Sequence, residues 1–426
     1  MKILIFCILA LVSLRLYTFH EPLERDITTY SVIANEMLNG RALYSELWDH
    51  KPPLLYYSYL VSQVLFGYNE LSVFILNIGS SILSLIAIFL VTRILNGDSR
   101  FSCLVWTVLS GSLGIEGNQP NVEVFINASL LWGLYFSLSS KNFLAGISFV
   151  AASLYKQIAI LFPFFILPIL YLCFKKKEIL LKTILLGITT WGVTFLAYGD
   201  PFFKCVFVYN SSYAGSLIDN LLKGFVSLTP AFATALLPCS IAALCGLYFS
   251  ENKVRILLLG ILVSAFFMFS LPGKFYPHYY QLFLPFICLA VGSAPKVLAI
   301  ASLLFTVLLE APNYILTPDD WSVKKYGEVF LRSKEMGLKL KSALPPETLL
   351  YQFGAETGLY FYSKLSPVSG VFYDYPLMYG PFKEELSKRV ERDLIGEIVV
   401  INRSLSGCNH SEDLSEPGFK VYICKR

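Results

Sequence analysis

The sequence is short of charge. Only 15% of its 426 residues are Asp, Glu, Lys or Arg, and 55% are hydrophobic. A soluble chain carries about 25% charge, so an ordinary soluble domain is excluded and a membrane protein remains. The basic excess is small, a formal net charge of +4, which leaves no electrostatic footprint for a nucleic-acid partner. Metal-site cysteine spacing is missing. Seven of the nine cysteines (Cys7, Cys103, Cys173, Cys205, Cys239, Cys245, Cys288) lie in or beside apolar runs and read as small buried hydrophobes. No small-residue cleavage site follows the first apolar run, which continues as RLYTFHEP; residues 3–19 therefore read as a retained first helix rather than a removed leader. Internal repeats and charged or Gly/Pro-broken segments at mid-membrane are not evident either. Those are the marks of a transporter or flippase, which stays as the alternative reading.

What is present is a succession of apolar runs, near 3–19, 71–95, 101–115, 122–138, 143–157, 158–174, 179–198, 224–249, 254–272, 278–294 and 297–312. They predict about eleven transmembrane helices. The pair across 143–174 has to turn at Lys156-Gln157. Arg15, near the end of the first run, is expected to snorkel to the headgroups. Alternate loops differ in charge. One set is short and basic, with Lys2, Arg93, Arg100, Lys141, Lys175, Lys176, Lys177, Lys182, Lys253, Arg255 and Lys296. The other is longer and holds most of the acids, aromatics and prolines. The positive-inside rule then puts the N-terminus in the cytoplasm and the long loops outside, as expected of a protein of a bacterial or archaeal cell membrane.

The chain divides at about residue 312. Residues 313–426 hold 15 of the 30 acids and 15 of the 34 Lys and Arg, so the tail looks soluble. Strands are expected at 348–353, 395–401 and 419–424, with a helix at 382–394, giving a small α/β extracytoplasmic domain after a helical membrane domain of residues 1–312. Cys408 and Cys424 could pair in an oxidising compartment, or stay free.

The first external loop, residues 20–70, is the densest in chemistry. It carries Glu24, Arg25, Asp26, Asp49, His50 and Lys51, then Pro52-Pro53. Ile27, Tyr30, Ile33, Ala34, Met37 and Leu38 have helical spacing, and the Pro pair starts a second apolar stretch at Leu54; both read as helices lying at the interface. Glu123 opens the run at 122–138, on the same side of the membrane. Ionisable groups at the membrane are functional suspects by default. Each also has a bland reading. Asp26 could cap the helix at Ile27, Asp49 could serve a turn, Glu123 could cap its span, and Lys51 could snorkel. Lys156 could anchor a loop, and His278 could be a hydrogen-bonded interfacial histidine. Tyr276, Tyr279 and Tyr280 read as an interface belt rather than a sugar platform.

The residues ERDITTY and NEMLNGRALYSELWDHKPPLLYY of this loop resemble the GT-C membrane glycosyltransferases, in particular the branch with protein O-mannosyltransferases and the lipid A aminoarabinose transferase. EGNQPNVEVF around Glu123, the stretch 144–163 ending near Lys156, and YPHYYQLFLPF (276–286) resemble further family segments. Where many relatives carry a second acid directly after the first, this chain has Ile27. The resemblance implies transfer of a sugar from a polyprenyl-phosphate donor to a lipid, glycan or protein acceptor, with inversion. Asp26 is the expected general base, and Glu123 and Lys51 join it as catalytic candidates. Lys51, Lys156, His278 and Tyr280 are the candidates for the donor phosphate. Asp26, His50 and Glu123 are a candidate ligand set for a divalent metal ion.

Overall fold

The computed structural model describes residues 1–231 and 236–425. Twenty α-helices and one sheet are described. The first three helices are α1 (Lys2–Tyr17), α2 (Arg25–Leu38) and α3 (Leu54–Phe66). Next come α4 (Glu70–Ile94), α5 (Ser99–Leu109), α6 (Val122–Leu138), α7 (Asn142–Tyr155), α8 (Leu161–Phe174), α9 (Glu178–Phe203) and α10 (Asn210–Ala214). The helical part ends with α11 (Leu217–Ala231), α12 (Leu237–Phe249), α13 (Asn252–Ser270), α14 (Leu284–Val291) and α15 (Lys296–Glu310). Among the described residues, five segments are long and apolar enough to cross a membrane: Glu70–Ile94, Gln157–Phe174, Glu178–Ser212, Asn252–Ser270 and Lys296–Ile315. Leu185, Ile188, Val193 and Leu196 on α9 are exposed; such a belt belongs against lipid. The protein is a helical polytopic membrane protein.

Several expected spans differ in detail. The run at 101–115 is α-helical only as far as Leu109, and the chain then passes close to Arg15. That arginine does not snorkel. It is 1% exposed, and its guanidinium donates to Asn77 Oδ1 (2.8 Å) and Ser110 Oγ (3.1 Å). Internal acceptors replace the headgroups, and a Cβ on Gly111 would lie 1.5 Å from Arg15 Nη1. The run at 224–249 is helical on both sides of 232–235, as α11 and α12, and 232–235 lie outside the described residues. The run at 278–294 begins as a 3-10 turn, Pro277–Phe283, and becomes α-helical only at Leu284. The turn expected at Lys156 is present. Lys156 is extended (φ −154°, ψ 121°) between α7 and a 3-10 turn at Gln157–Ile160.

The C-terminal segment holds α16 (Pro318–Tyr326), α17 (Val329–Ala343), α18 (Gly358–Ser363), α19 (Tyr375–Met378), α20 (Lys383–Asp393) and strands β1 (Leu349–Gln352), β2 (Glu397–Ile401), β3 (Cys408–Glu416) and β4 (Phe419–Lys425). The sheet order is β1-β2-β4-β3. β1 and β2 are parallel, which requires a crossover, made through α18 to α20. β3 and β4 are antiparallel, with Cys408 opposite Cys424 and the two joined by a disulfide.

This segment docks on the loop between α1 and α4. Leu23 N–H donates to the Tyr362 hydroxyl (2.8 Å), Trp48 N–H to the Gly370 carbonyl (3.0 Å) and Lys334 Nζ to the His20 carbonyl (2.8 Å). Thr28 and Thr357 share a hydroxyl bond of 2.8 Å. Two ion pairs cross the same boundary, Glu21 with Lys325 and Arg25 with Glu356.

Candidate functional site

The site starts from the first turn of α2. The N-cap is Glu24, not Asp26: the Glu24 carboxylate accepts the Asp26 backbone N–H at 3.0 Å. Glu24 N–H in turn donates to Gln119 Oε1 at 2.8 Å, which ties the cap to the loop before α6. Asp26 is therefore relieved of capping and sits in the first helical turn, where the macrodipole favours a negative charge by about 0.3–1 kcal/mol. The Tyr30 hydroxyl, one turn on, donates to Asp26 Oδ2 at 3.4 Å.

The second piece precedes α3. Pro52-Pro53 stops the chain from winding earlier and leaves Asp49-His50-Lys51 as a bent, non-helical stretch at the helix entrance. The three side chains form a line. Asp49 Oδ1 is 3.0 Å from His50 Nδ1, and His50 Nε2 is 2.7 Å from Lys51 Nζ. A neutral imidazole fits this line, with Nδ1–H donated to Asp49 and Nε2 accepting from the ammonium. Burial depresses the His50 pKa and Lys51 adds to it, against Asp49. Burial alone would raise Asp49, but its hydrogen bonds with the His50 ring and backbone and the charge of Lys51 outweigh it and hold the carboxyl below its usual value. Asn210 Nδ2 fixes the strip by donating to the His50 carbonyl at 2.7 Å.

These two pieces line one polar cavity of about 120 Å³, together with Glu24, Arg25, Thr29, Tyr30, Tyr209, Tyr276, His278, Tyr279, Tyr373 and Tyr375. It is well above the ~10–15 Å³ minimum that admits a water. His278, on the turn before α14, is 2.9 Å from Glu116 Oε2 through Nδ1. Burial pushes the Glu24 carboxyl up to about 8, with the Asp26 charge next in weight and Glu116 adding to it, against His278 and the Asp26 N–H.

Beside the cavity lies a largely apolar groove of about 640 Å³ that shares His50, Lys51 and Tyr279 with it. A second apolar groove of about 580 Å³ shares Ile160 and Trp191 with the first and runs between α7, α8 and α9. Lys156 lines the first groove. Its Nζ lies 2.8 Å from Glu123 Oε1 and 3.8 Å from the centre of the Tyr279 ring.

Of the residues expected from the sequence, the cavity thus gathers Asp26, His50, Lys51 and His278. Glu123 is fully buried behind its wall and bonded to Lys156. Tyr280 lines neither cavity nor groove; its hydroxyl donates to the Ser227 carbonyl and its ring packs on Phe269. Asp26, His50 and Glu123 do not form a ligand set, since Glu123 is held by Lys156 and His50 lies between Asp49 and Lys51. Among the described residues no group of three or more His, Cys, Asp or Glu could hold a metal ion. Tyr276 and Tyr279 are cavity walls rather than a membrane belt. Glu116, Tyr209, Tyr373 and Tyr375 escape sequence reasoning, and Glu24, counted among the charges of the first loop, is given no role there. For Glu24 the one available signal was its place just before an amphipathic helix, and glutamate is not among the favoured caps.

No protein-family model matches the chain, and no curated protein matches it in sequence. Solved structures do match in fold. ArnT from Cupriavidus metallidurans bound to undecaprenyl phosphate superposes with a TM-score of 0.65 at 14% identity, over 99% of this chain and 97% of that one. Its apo form gives 0.59 at 13% identity, over 98% and 97%. The oligosaccharyltransferase AglB from Archaeoglobus fulgidus, in complex with an inhibitory peptide and a dolichol-phosphate, gives 0.53 at 11% identity, over 94% of this chain and 69% of AglB. AglB is also similar in a complex with zinc and sulfate, with a TM-score of 0.54. The fold expected from the first-loop motif, that of the GT-C glycosyltransferases, is the fold of this chain.

Proposed function

We propose that this GT-C-fold protein is a membrane glycosyltransferase that moves one hexosyl or pentosyl residue from a polyprenyl phosphate to an acceptor hydroxyl, with inversion. The observation that carries this reading is the continuity of the polar cavity with the apolar grooves through His50, Lys51 and Tyr279. A polyprenyl-phosphate sugar has the same sequence of parts: a polar sugar, an anionic phosphate and a long apolar chain. The reading puts the chain in the grooves, the phosphate beside Lys51 and Lys156, and the sugar in the cavity. ArnT and AglB, with bound undecaprenyl phosphate and dolichol-phosphate, lend it support.

The chemistry follows from where the charges sit. Asp26 takes the proton of the acceptor hydroxyl, and the acceptor oxygen forms a bond to the anomeric carbon. The bond from that carbon to the phosphate oxygen breaks, and the phosphate leaves with both electrons. A single displacement from the face opposite the phosphate inverts the centre. A base of this kind contributes about 10²–10⁴ in rate. The leaving phosphate gains charge that preorganised cations stabilise. Lys51 is aimed by the Asp49–His50 pair and Lys156 by Glu123, so neither must reorganise during the step.

The reading places residues 313–426 as a separate unit outside the cytoplasm. The basic loops between the spans support that side, and so does the Cys408–Cys424 disulfide, since such bonds persist in oxidising compartments.

The test uses purified protein in lipid with a panel of radiolabelled polyprenyl-phosphate sugars. One donor is expected to lose its sugar, and Asp26→Asn to reduce that turnover by about 10²-fold or more. Consumption of no donor, with or without divalent ions, would overturn the reading in favour of transport, which a lipid-translocation assay then measures.

A further inference from the structure

His278 stands apart from the other candidates for the donor phosphate. It lines the polar cavity and neither apolar groove, whereas Lys51 and Tyr279 line cavity and groove together and Lys156 lines the groove. With the phosphate where cavity and groove join, His278 is on the sugar's side of it. The imidazole is held from three directions. Its Nδ1 is 2.9 Å from Glu116 Oε2. Tyr276 stacks on the ring with centroids 5.6 Å apart, and Tyr279 crosses it at 77° with centroids 4.9 Å apart. A carboxylate only accepts, so Nδ1 carries a hydrogen toward Glu116 and Nε2 is the nitrogen left for a ligand. Among the described residues nothing bonds to Nε2, and it is not one of the buried polar atoms closed off without a partner.

The chain goes out of its way to hold this aim. Glu116 has a left-handed backbone (φ 54°, ψ 32°), a region that residues other than glycine rarely enter. Gln281, on the same 3-10 turn as His278, holds it there: Nε2 donates to the carbonyls of Ile115 (3.1 Å) and Glu116 (3.4 Å). Gly117 comes next because no side chain fits; a Cβ would lie 2.2 Å from the Ser110 carbonyl oxygen. Backbone kept in a sparsely populated region clusters at active sites and ligand clamps. Here it brings a buried carboxylate onto one imidazole nitrogen and leaves the other to the cavity. The ligand group that fits that nitrogen is a hydroxyl. A hydroxyl both donates and accepts, so it meets Nε2 with or without a proton, whereas a phosphate oxygen needs the protonated form. Hydroxyl positions are also what distinguish one hexose or pentose from another.

Resting on the glycosyltransferase reading above, we propose that His278 hydrogen-bonds through Nε2 to a hydroxyl of the transferred sugar and so selects the donor, with Glu116 as its positioning residue.

The experiment uses the full chain in lipid nanodiscs. The probes are the donor that the panel identifies, the monodeoxy analogues of its sugar, and the sugar-free polyprenyl phosphate. In wild type one deoxy analogue is expected to lose about tenfold in kcat/KM, the scale of one hydrogen bond. His278→Ala is expected to lose a similar factor with the natural donor and nothing further with that analogue, because the bond is already missing. The other analogues keep their wild-type ranking. His278→Gln, whose amide also donates and accepts, is expected to recover part of the loss, and it guards against a folding defect in the alanine variant. Glu116→Ala is expected to reproduce the analogue pattern of His278→Ala, and Glu116→Gln, which still accepts from Nδ1, to give a milder one. Binding of the sugar-free carrier is expected to stay within about twofold of wild type in His278→Ala, while Lys51→Ala weakens it. Weaker carrier binding in His278→Ala would move the residue to the phosphate and overturn the proposal. Equal losses with every analogue, or no loss with any, would overturn it too and leave the Glu116–His278 pair a structural contact. A wild-type analogue pattern in Glu116→Ala would overturn the role of Glu116. With wild-type turnover of a donor, each of these results leaves the glycosyltransferase reading standing; wild type that consumes none removes both.

Discussion

Glu24 shows how one residue ties the cap, the cavity and pH together. Its carboxyl is shifted up to about 8, by burial and then by the Asp26 charge, from about 4.3 in an unfolded chain. Between those values the folded protein binds a proton there that the unfolded chain has released. Stability contributed by Glu24 must therefore fall as pH rises through this window and level off above about 8. Glu24→Gln keeps an acceptor for the Asp26 N–H and removes the titration. Its melting temperature is expected to drop less than that of wild type between pH 5 and 8; parallel curves would refute the assignment. Glu123 and Lys156 make a different kind of pair, 0% and 9% exposed and 2.8 Å apart. Glu123→Gln strands a buried ammonium, and breaking such a pair costs about 3–5 kcal/mol. The double change Glu123→Leu with Lys156→Met is expected to recover most of that stability, as read by thermal unfolding, without recovering turnover. Asp26, Lys51 and Lys156 were legible in the sequence because a charge beside an apolar run is conspicuous. Glu24 was not, because its unusual environment is made by Gln119, Glu116 and His278, which only the fold brings near.

At the scale of elements, what the sequence carried locally survived. The amphipathic spacing after Arg25, the Pro-Pro entrance to α3 and the apolar strands β1, β2 and β4 all formed near their expected positions. β3 was missed because its residues, Cys408–Glu416, are mostly polar and exposed, as befits an edge strand with one paired side. Its apolar period is absent, and only its partner β4 makes it a strand. The pairing of Cys408 with Cys424 has the same origin: the antiparallel register sets them opposite each other, which spacing along the chain could not reveal. This gives a direct count. Denatured protein without reductant is expected to take up thiol label at the seven free cysteines, and at all nine of the sequence once reduced. Mass spectrometry reads both numbers, and nine labels before reduction would exclude the bond.

At the scale of the molecule, the cavity exists only when the C-terminal segment is seated, since Tyr373 and Tyr375 close one side of it. The seat depends on a close approach at Gly370. A Cβ there would lie 1.6 Å from the Glu46 carbonyl oxygen and 2.7 Å from its carbon. Both are backbone atoms, so no side-chain rotation relieves the clash. The segment itself must move, and the bond from Trp48 N–H to Gly370 goes with it. Gly370→Ala is therefore expected to leave the helical layer folded while detaching the wall that carries the two tyrosines. Limited proteolysis should cut the C-terminal segment faster than in wild type, and sugar transfer should fall by about tenfold or more, the factor equivalent to about 1.4 kcal/mol. Gly79→Ala is the matched control, because nothing lies within 4 Å of the added Cβ and alanine is favoured over glycine inside a helix such as α4. Resistance to protease together with wild-type transfer in Gly370→Ala would show that the seat tolerates displacement, and the cavity would then have to be complete without its C-terminal wall.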